Sequence, residues 1–206
     1  MEFSHKQIEI LNVAEQLFAK EGYDGTSVRE ISKIAHINVA MISYYFGSKA
    51  KLLEALVIHR IGSLGLKLEN IVLENISPIK KIDLIIEYYI HLVNTNRHIH
   101  QILHQEASNN KREINLDAFI EVKKNNIKLV QSVISEGQKM GIFKKNINVP
   151  LLAPIIVGSL VYFNTNKALY GDLFNLKTDE DFNNYVDNEL TQHIQQTIKA
   201  LLIYEN

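Results

Sequence analysis

The chain has 206 residues, a net charge of −1 and hydrophobic residues at 46% of positions, so it can bury a sizeable core but lacks bulk positive charge. The absence of cysteine excludes disulfides, thiol nucleophiles and cysteine-based metal sites. The sequence MEFSHKQIEI lacks the layout of a signal peptide, and the longest apolar run, residues 151–163, is shorter than the ~20 residues of a membrane span. We therefore expect a cytoplasmic protein with no membrane segment.

Three short helices are predicted near the start of the chain. The first, at about 7–21, has apolar residues at helical spacing and ends at Gly22. Ser27 can cap the second helix, and Asn38 can cap the third, at about 39–46. Two short helices joined by a tight turn within a small bundle are typical of a helix-turn-helix unit that reads DNA.

The rest of the chain is predicted to be helical as well. Apolar residues recur at helical spacing, and no segment shows the alternation of a β-strand. Pro78 and Pro150 can each open a helix. The predicted helices lie at about 49–74, 79–94, 97–107, 116–139, 150–170 and 181–203. The predicted fold class is therefore all-α.

Several residues at fixed spacing in the first quarter carry a family resemblance. They are Phe18, Gly22, Ser27, Val28, Arg29, Glu30, Ile31, Ala40, Ile42, Ser43, Tyr44, Tyr45, Phe46, Gly47, Ser48, Lys49, Leu52 and Leu53. With them the chain resembles the tetracycline-repressor (TetR) family of bacterial transcriptional regulators. It departs from the family pattern at His36, where the family usually has a turn glycine, and at Ala50 and Lys51, where acidic residues are common.

The resemblance implies both an architecture and a function. It implies an N-terminal three-helix DNA-binding domain at 1–47 and a larger helical regulatory and dimerisation domain at 48–206. The middle helices would enclose a small-molecule effector, and the last two helices would pair with a second subunit. We therefore expect a homodimeric regulator of transcription, a repressor released from a pseudo-palindromic operator by a ligand, and not an enzyme.

The exposed face of the third helix is the predicted base-reading surface. Val39, Ala40, Ser43 and Tyr44 lie on it, with Met41 at its edge. None of these is an Arg, Lys, Asn or Gln, the types that usually read guanine and adenine. We therefore expect contacts with thymine methyl groups, hydroxyl contacts from Ser43 and Tyr44, and a half-site that contains A·T pairs.

Cations near this helix are candidates for contacts with phosphates of double-stranded DNA. Residues 26–51 hold four Lys or Arg and one acidic residue. Lys49 opens the fourth helix, where a cation opposes the helix dipole unless an anion lies beside it. Arg29 and Ser27 are further candidates. The alternative for each lysine is an ordinary solvated side chain.

The effector pocket is predicted from bulky apolar and polar-tipped residues of the later helices. The candidates are Tyr88, Tyr89, Leu92, Leu103, His104, Phe119, Ile127, Tyr162, Phe163 and Asn166. The alternative for each of them is an ordinary core position.

Two rival functions remain, and the first is an enzyme or metal protein that uses a histidine cluster. His91, His98, His100 and His104 form this cluster, but without an HExxH motif or cysteine we expect polar pocket or surface histidines, no metal and no cofactor. No glycine-rich phosphate loop or G-x-S-x-G elbow is present. The other rival is a DNA-binding dimer controlled by a partner protein or by its abundance, without any ligand.

Overall fold

The computed structural model describes residues 3–108 and 117–204, and over these ranges it is helical apart from turns and one isolated bridge between Phe143 and Ile203. The helices are α1 His5–Gly25, α2 Val28–Ile34, α3 Val39–Phe46, α4 Lys49–Leu73, α5 Pro78–Thr95, α6 Arg97–Ser108, α7 Asp117–Lys139, α8 Leu152–Thr165, α9 Lys167–Phe174, α10 Asp179–Tyr185 and α11 Thr191–Leu202. A 3₁₀ turn, Val149–Leu151, precedes α8, and a π-helical turn, Val186–Leu190, joins α10 to α11. The predicted all-α class is confirmed.

The chain forms two compact units. The first contains residues up to 63 together with 96–122, and the second contains 64–95 and the residues from 123 onward. Helix α4 therefore contributes to both units, and α5 continues into α6 at the point where the chain passes from the second unit to the first. The predicted domain boundary at 47/48 stays a prediction.

The core of the first unit is completed by a helix that is distant in sequence. Ile99 and Ile102 of α6 are buried with residues of α1 to α4, and Gln101 Nε2 donates a hydrogen bond of 3.3 Å to the carbonyl of Ala19. Because a three-helix unit of about fifty residues has a marginal core, this added apolar surface stabilises it. Each such isoleucine contributes about 1.5–3 kcal/mol by burial.

The core of the second unit surrounds α5. Helices α8 and α11 both pack on α5, whose Ile82, Ile86 and Ile90 are buried. Lys81 is also buried, and its Nζ donates hydrogen bonds of 2.9 Å to the carbonyl of Val72 and to Glu136 Oε2. These two partners offset the cost of burying an ammonium group.

The helix predicted at 150–170 is broken in two, and that prediction is wrong. Helix α8 ends at Thr165 and α9 begins at Lys167, with a bend of 83° between the segments. Asn166 Nδ2 donates to the carbonyl of Tyr162 at 2.8 Å, and Thr165 Oγ1 donates to a carbonyl of the same turn at 3.1 Å. Both side chains thus add hydrogen bonds to the last turn of α8, and local bonds of this kind often bend helices.

No single described helix is long and apolar enough to cross a membrane; only the bent pair Val149–Thr165 and Lys167–Phe174 reaches the required length and composition together.

Candidate nucleic-acid interface

The corner between α1 and α2 is built by one glycine and two hydroxyl side chains. Gly22 has a φ of 73°, so the regular part of α1 ends there as predicted. Thr26 donates twice to the carbonyl of Gly22, from its N–H at 3.2 Å and from Oγ1 at 2.8 Å. Ser27 Oγ then accepts from the N–H of Glu30 at 3.1 Å and caps α2.

The turn between α2 and α3 contains His36 in a left-handed conformation. His36 has a φ of 51°, in the left-handed region, and the N–H of Ile37 donates to the carbonyl of Ser32 at 3.0 Å. Asn38 Oδ1 accepts from the N–H of Ala40 at 2.9 Å, which confirms Asn38 as the N-cap of α3. The left-handed conformation costs a non-glycine residue about 1–2 kcal/mol.

Helix α3 has one buried side and one exposed side. Ile42 and Phe46 are buried in the core of the first unit. Tyr44 is 83% exposed and Val39 is 37% exposed. Ala40 and Ser43 are exposed too, and Met41 is half-buried. Four of the five residues predicted to read bases therefore share the outward side of α3, with Met41 at its edge, as the helical spacing indicated.

The exposed cations near α3 differ in whether an acidic side chain of this protein offsets their charge. Arg29 and Lys33 of α2 are exposed, and so is Ser27 beside them. Lys51 of α4 forms an ion pair of 2.8 Å with Glu54, which reduces the charge that it offers to a phosphate. Arg29 and Lys33 thus give α2 an exposed positive charge next to the turn.

Lys49 has partners inside the protein. Its Nζ donates hydrogen bonds of 2.7 Å to the carbonyl of Tyr23 and to the carbonyl of Thr26. The same atom lies 4.2 Å from the centroid of the Tyr23 ring, in cation–π contact. Sequence reasoning missed this arrangement because the partners lie more than twenty residues earlier in the chain.

The residues predicted to line an effector pocket are divided between the two units. Leu103 and Phe119 pack against the core of the first unit, whereas the other described candidates belong to the second. Phe163 is buried and stacks on Tyr185 with ring centroids 5.4 Å apart, while Tyr162 is 59% exposed. The side chain of His104 lies outside the described part of the chain.

Five candidates in the second unit are half-buried, and one of them, Tyr88, lines the cavity described below. Tyr89, Leu92 and Ile127 pack at the edge of its core, and burial raises the pKa of the Tyr89 hydroxyl. Asn166 uses its amide in the bend after α8. Their assignment to an effector pocket stays a prediction.

A cavity of about 650 Å³ lies in the second unit between α4, α5 and the π-helical turn. It is lined by Lys67, Ile71, Glu74, Leu84, Glu87, Tyr88, His91, Asp187 and Thr191. Tyr88 is the one predicted pocket residue among them. A neighbouring cavity of about 360 Å³ shares Glu87, Asp187 and Thr191 with it. Two pairs of cavity residues lie at i, i+4 spacing, Glu87–His91 and Asp187–Thr191. This polar pattern could have indicated the cavity, but the prediction relied on bulky apolar residues.

The larger cavity has an acidic lining with one aromatic wall. The lining contains three carboxylates and a single lysine, so the formal charge of the cavity is negative. Lys67 Nζ lies 5.8 Å from the centroid of the Tyr88 ring. Over residues 3–108 and 117–204, no group of three or more His, Cys, Asp or Glu could hold a metal ion. The lining thus suits an uncharged or cationic organic molecule better than a polyanion.

Known family models match both halves of the chain. The model of bacterial regulatory proteins of the tetR family matches residues 10–56, and that of the tetracyclin repressor-like C-terminal domain matches residues 78–198. The first match covers the helix-turn-helix segment, and the second covers most of the described helices after α4.

Individual relatives agree with these matches. The HTH-type transcriptional repressor NicS of Pseudomonas putida is 29% identical over 168 residues, or 77% of this chain and 75% of NicS. The fatty acid metabolism regulator protein of Bacillus subtilis is 23% identical over 155 residues, or 75% of this chain and 79% of that protein. The structure of FadR from Bacillus subtilis in complex with stearoyl-CoA has a TM-score of 0.74 at 19% identity, covering 94% of this chain and 98% of FadR.

Proposed function

Because a family model covers more than half of it, the chain belongs to the TetR family of bacterial transcriptional regulators, and we propose that it is a homodimeric repressor released from a pseudo-palindromic operator by a small molecule. The family consists of regulators, so the chain is a regulator and not an enzyme. The exposed side of α3, opposite a buried side, is the observation that carries the proposal.

We assign base reading to the outward side of α3. A two-fold dimer places its two reading helices in successive major grooves ~34–36 Å apart. Val39, Ala40 and Met41 offer apolar groups for thymine methyls, and the hydroxyls of Ser43 and Tyr44 can bond to bases or phosphates. The half-sites should therefore contain A·T pairs.

Phosphate contacts are assigned to α2. Arg29 is exposed and carries a guanidinium that can bind a phosphate through two N–H groups. Ser27 is exposed, and its oxygen accepts from Glu30 while its hydroxyl proton can be donated. A few such contacts per subunit suit a protein with a net charge of −1.

The outward side of α8 supports the homodimer. Val161 and Tyr162 of α8 are exposed, as is Leu151 in the 3₁₀ turn just before it, while Ile156 and Phe163 are buried on the other side. A helix that is apolar on both sides is typically buried on both sides in its assembly. A second copy offers the same surface about a two-fold axis, so it is the partner that we propose.

The acidic cavity is the proposed effector site. It is lined in part by Lys67 and Ile71 of α4, the helix that starts at Lys49 beside the reading unit, and by Glu74, which follows that helix. Helix α4 has 25 residues and is therefore about 37 Å long. A ligand that prefers one conformation of this helix changes DNA binding by its differential affinity.

A second candidate function is a DNA-binding dimer that senses no small molecule. The observation in its favour is that Phe163, a predicted pocket residue, is packed in a stack of aromatic rings. Effector titrations distinguish the two functions, because a true inducer must bind less tightly when the operator is present.

Selection of bound duplexes from a random pool tests DNA reading. We expect a pseudo-palindrome whose half-sites contain A·T pairs, and half-sites dominated by G·C pairs would contradict the assignment. Val39→Asp places a carboxylate in the first turn of α3, where the helix dipole tolerates it but DNA phosphates repel it. This variant should enrich no duplex, whereas Tyr204→Asp, at a position that is 54% exposed in the second unit, should enrich the wild-type duplex.

Small molecules of matched shape and opposite charge test the effector site. An aryl quaternary ammonium such as benzyltrimethylammonium and an aryl sulfonate are titrated calorimetrically into the protein with and without the duplex. We expect the cation to bind more tightly than the anion. Glu87→Gln removes one carboxylate, so it should reduce the difference in affinity between the two molecules. Equal affinity with and without the duplex would instead favour the ligand-independent dimer.

A further inference from the structure

Lys49 joins the start of α4 to the end of α1. Its ammonium contacts the carbonyl of Tyr23 in the last turn of α1 and the carbonyl of Thr26, the C-cap of that helix, each at 2.7 Å. It also lies over the Tyr23 ring, which stacks on the fully buried Phe18 with ring centroids 5.4 Å apart. The Lys49 ammonium group is therefore bound by two backbone carbonyls and by the face of a packed aromatic ring.

The charge at the start of α4 explains part of this arrangement. A cation in the first turn of α4 is unfavourable beside the positive end of that helix. The carbonyls of Tyr23 and Thr26 follow Gly22, where the regular part of α1 ends, and both accept hydrogen bonds from the Lys49 ammonium group. The side chain of Lys49 therefore places its charge away from the helix end and beside two backbone oxygens. A phosphate is not needed to account for a cation at this position.

The bond to Thr26 closes a segment of the chain. Residues 26–49 contain α2, the turn and α3, so the whole reading unit lies between the two bonded residues. Thr26 also immediately precedes Ser27, the N-cap of α2. Lys49 thus fixes where α2 begins relative to where α3 ends.

We infer that Lys49 is a positioning residue that holds the helix-turn-helix segment in its reading geometry, and not a phosphate contact. This inference rests on the proposed function, because it concerns DNA binding. Two of the three ammonium protons are directed to the carbonyls of Tyr23 and Thr26. Turning to a phosphate would leave these partly buried carbonyls without their charged donor.

The dependence of DNA affinity on salt separates the two roles. Lys49→Met keeps the length of the side chain and removes its charge. We expect the Tm of the free protein to fall by about 4 °C or more, the affinity for the selected duplex to fall about tenfold, and the salt slope to stay unchanged. A phosphate contact would instead lower the slope by about 0.9 per subunit and leave the Tm in place.

Two variants serve as controls. Arg29→Met removes the proposed phosphate contact and should lower the slope by about 0.9 per subunit, which shows that the assay detects such a loss. Lys51→Met, on the same turn of α4 as Lys49, removes an exposed lysine and should shift the Tm by no more than about 1 °C. A lowered slope or an unchanged Tm for Lys49→Met overturns the inference.

The wild-type protein gives an independent measurement if Lys49→Met does not fold. The ¹⁵N resonance of the Lys49 ammonium should exchange slowly with water in the free protein and keep its chemical shift when the duplex is added. A shift on adding the duplex would show a phosphate contact and overturn the inference. If no duplex is selected at all, the proposed function fails. The Tm and the ammonium resonance of the free protein still test whether Lys49 is bound by the carbonyls of Tyr23 and Thr26.

Discussion

Helix α3 of the first unit and helix α8 of the second are both apolar on their exposed sides, but their surroundings differ in charge. Neither helix contains a charged residue. Helix α3 lies between α2, with exposed Arg29 and Lys33, and the basic start of α4. Residues 149–166, which include all of α8, contain no charged side chain.

The difference shows that charge around an apolar face indicates its partner better than the face itself does. Apolar groups bordered by cations suit a polyanion whose bases carry methyl groups, which describes DNA. An apolar face without charges suits another apolar face, such as that of a second subunit. Four predictions test this comparison, starting from the largest expected effect.

Substitutions on the two sides of α8 should act differently. Phe163→Ala removes a buried ring and should lower the free energy of unfolding by about 3–5 kcal/mol. Tyr162→Ala, at the neighbouring exposed position, should reduce stability in a way that depends on protein concentration, because it weakens only the dimer. Urea unfolding at several concentrations measures both effects. A concentration-independent loss at Tyr162 would mean that this side packs within one chain.

Gly158→Arg should separate the subunits without unfolding them. A Cβ at Gly158 would meet no atom within 4 Å, so one chain accommodates the larger side chain. The buried charge should prevent dimerisation and lower operator affinity about 100-fold, or ~2.7 kcal/mol. Sedimentation and DNA binding measure the result, and Gly158→Ala is the matched control. A dimeric Gly158→Arg protein with normal affinity would place the interface elsewhere.

Tyr44→Ala should weaken DNA binding and leave the fold intact. The side chain is 83% exposed, so its removal costs the free protein little stability. Loss of its contacts with DNA should cost about 1–3 kcal/mol of operator binding. Tyr44→Phe separates the hydroxyl from the ring. Unchanged affinity for both variants in a binding titration would remove Tyr44 from the reading surface.

His36→Gly should stabilise the first unit by about 0.5–1 kcal/mol. Glycine adopts the left-handed conformation at a φ of 51° without the strain that histidine has there. This gain is partly offset, because glycine gains more backbone entropy than histidine on unfolding. Lys33→Gly, at a nearby exposed helical position, should instead destabilise by a similar amount. Thermal unfolding of both variants measures the contrast, and a destabilised His36→Gly protein would point to a contact made by the imidazole.

Features determined by neighbouring residues were predictable from the sequence. Gly22 ends the regular part of α1, Asn38 caps α3, and Ile42 and Phe46 lie on the buried side of that helix. Each of these depends on the conformation of one residue or on the helical period. The family resemblance then extended this local pattern to a fold that the comparisons confirm.

Features that depend on distant residues were not predictable. Helical spacing shows that Ile99 and Ile102 share a face, but not that this face completes the core of the first unit. The position of Lys49 at a helix start is clear from the sequence, whereas its contact with Tyr23 depends on how α1 and α4 pack. The acidic cavity likewise combines carboxylates from three separate elements.

The apolar groups on the outward side of α3 have a thermal consequence. If Val39, Ala40 and Met41 bind thymine methyls, complex formation removes apolar surface from water and lowers the heat capacity. Contacts of this kind are driven by entropy near 25 °C and weaken on cooling. A repressor that reads DNA largely through methyl groups would therefore hold its operator less tightly in the cold, independently of any ligand.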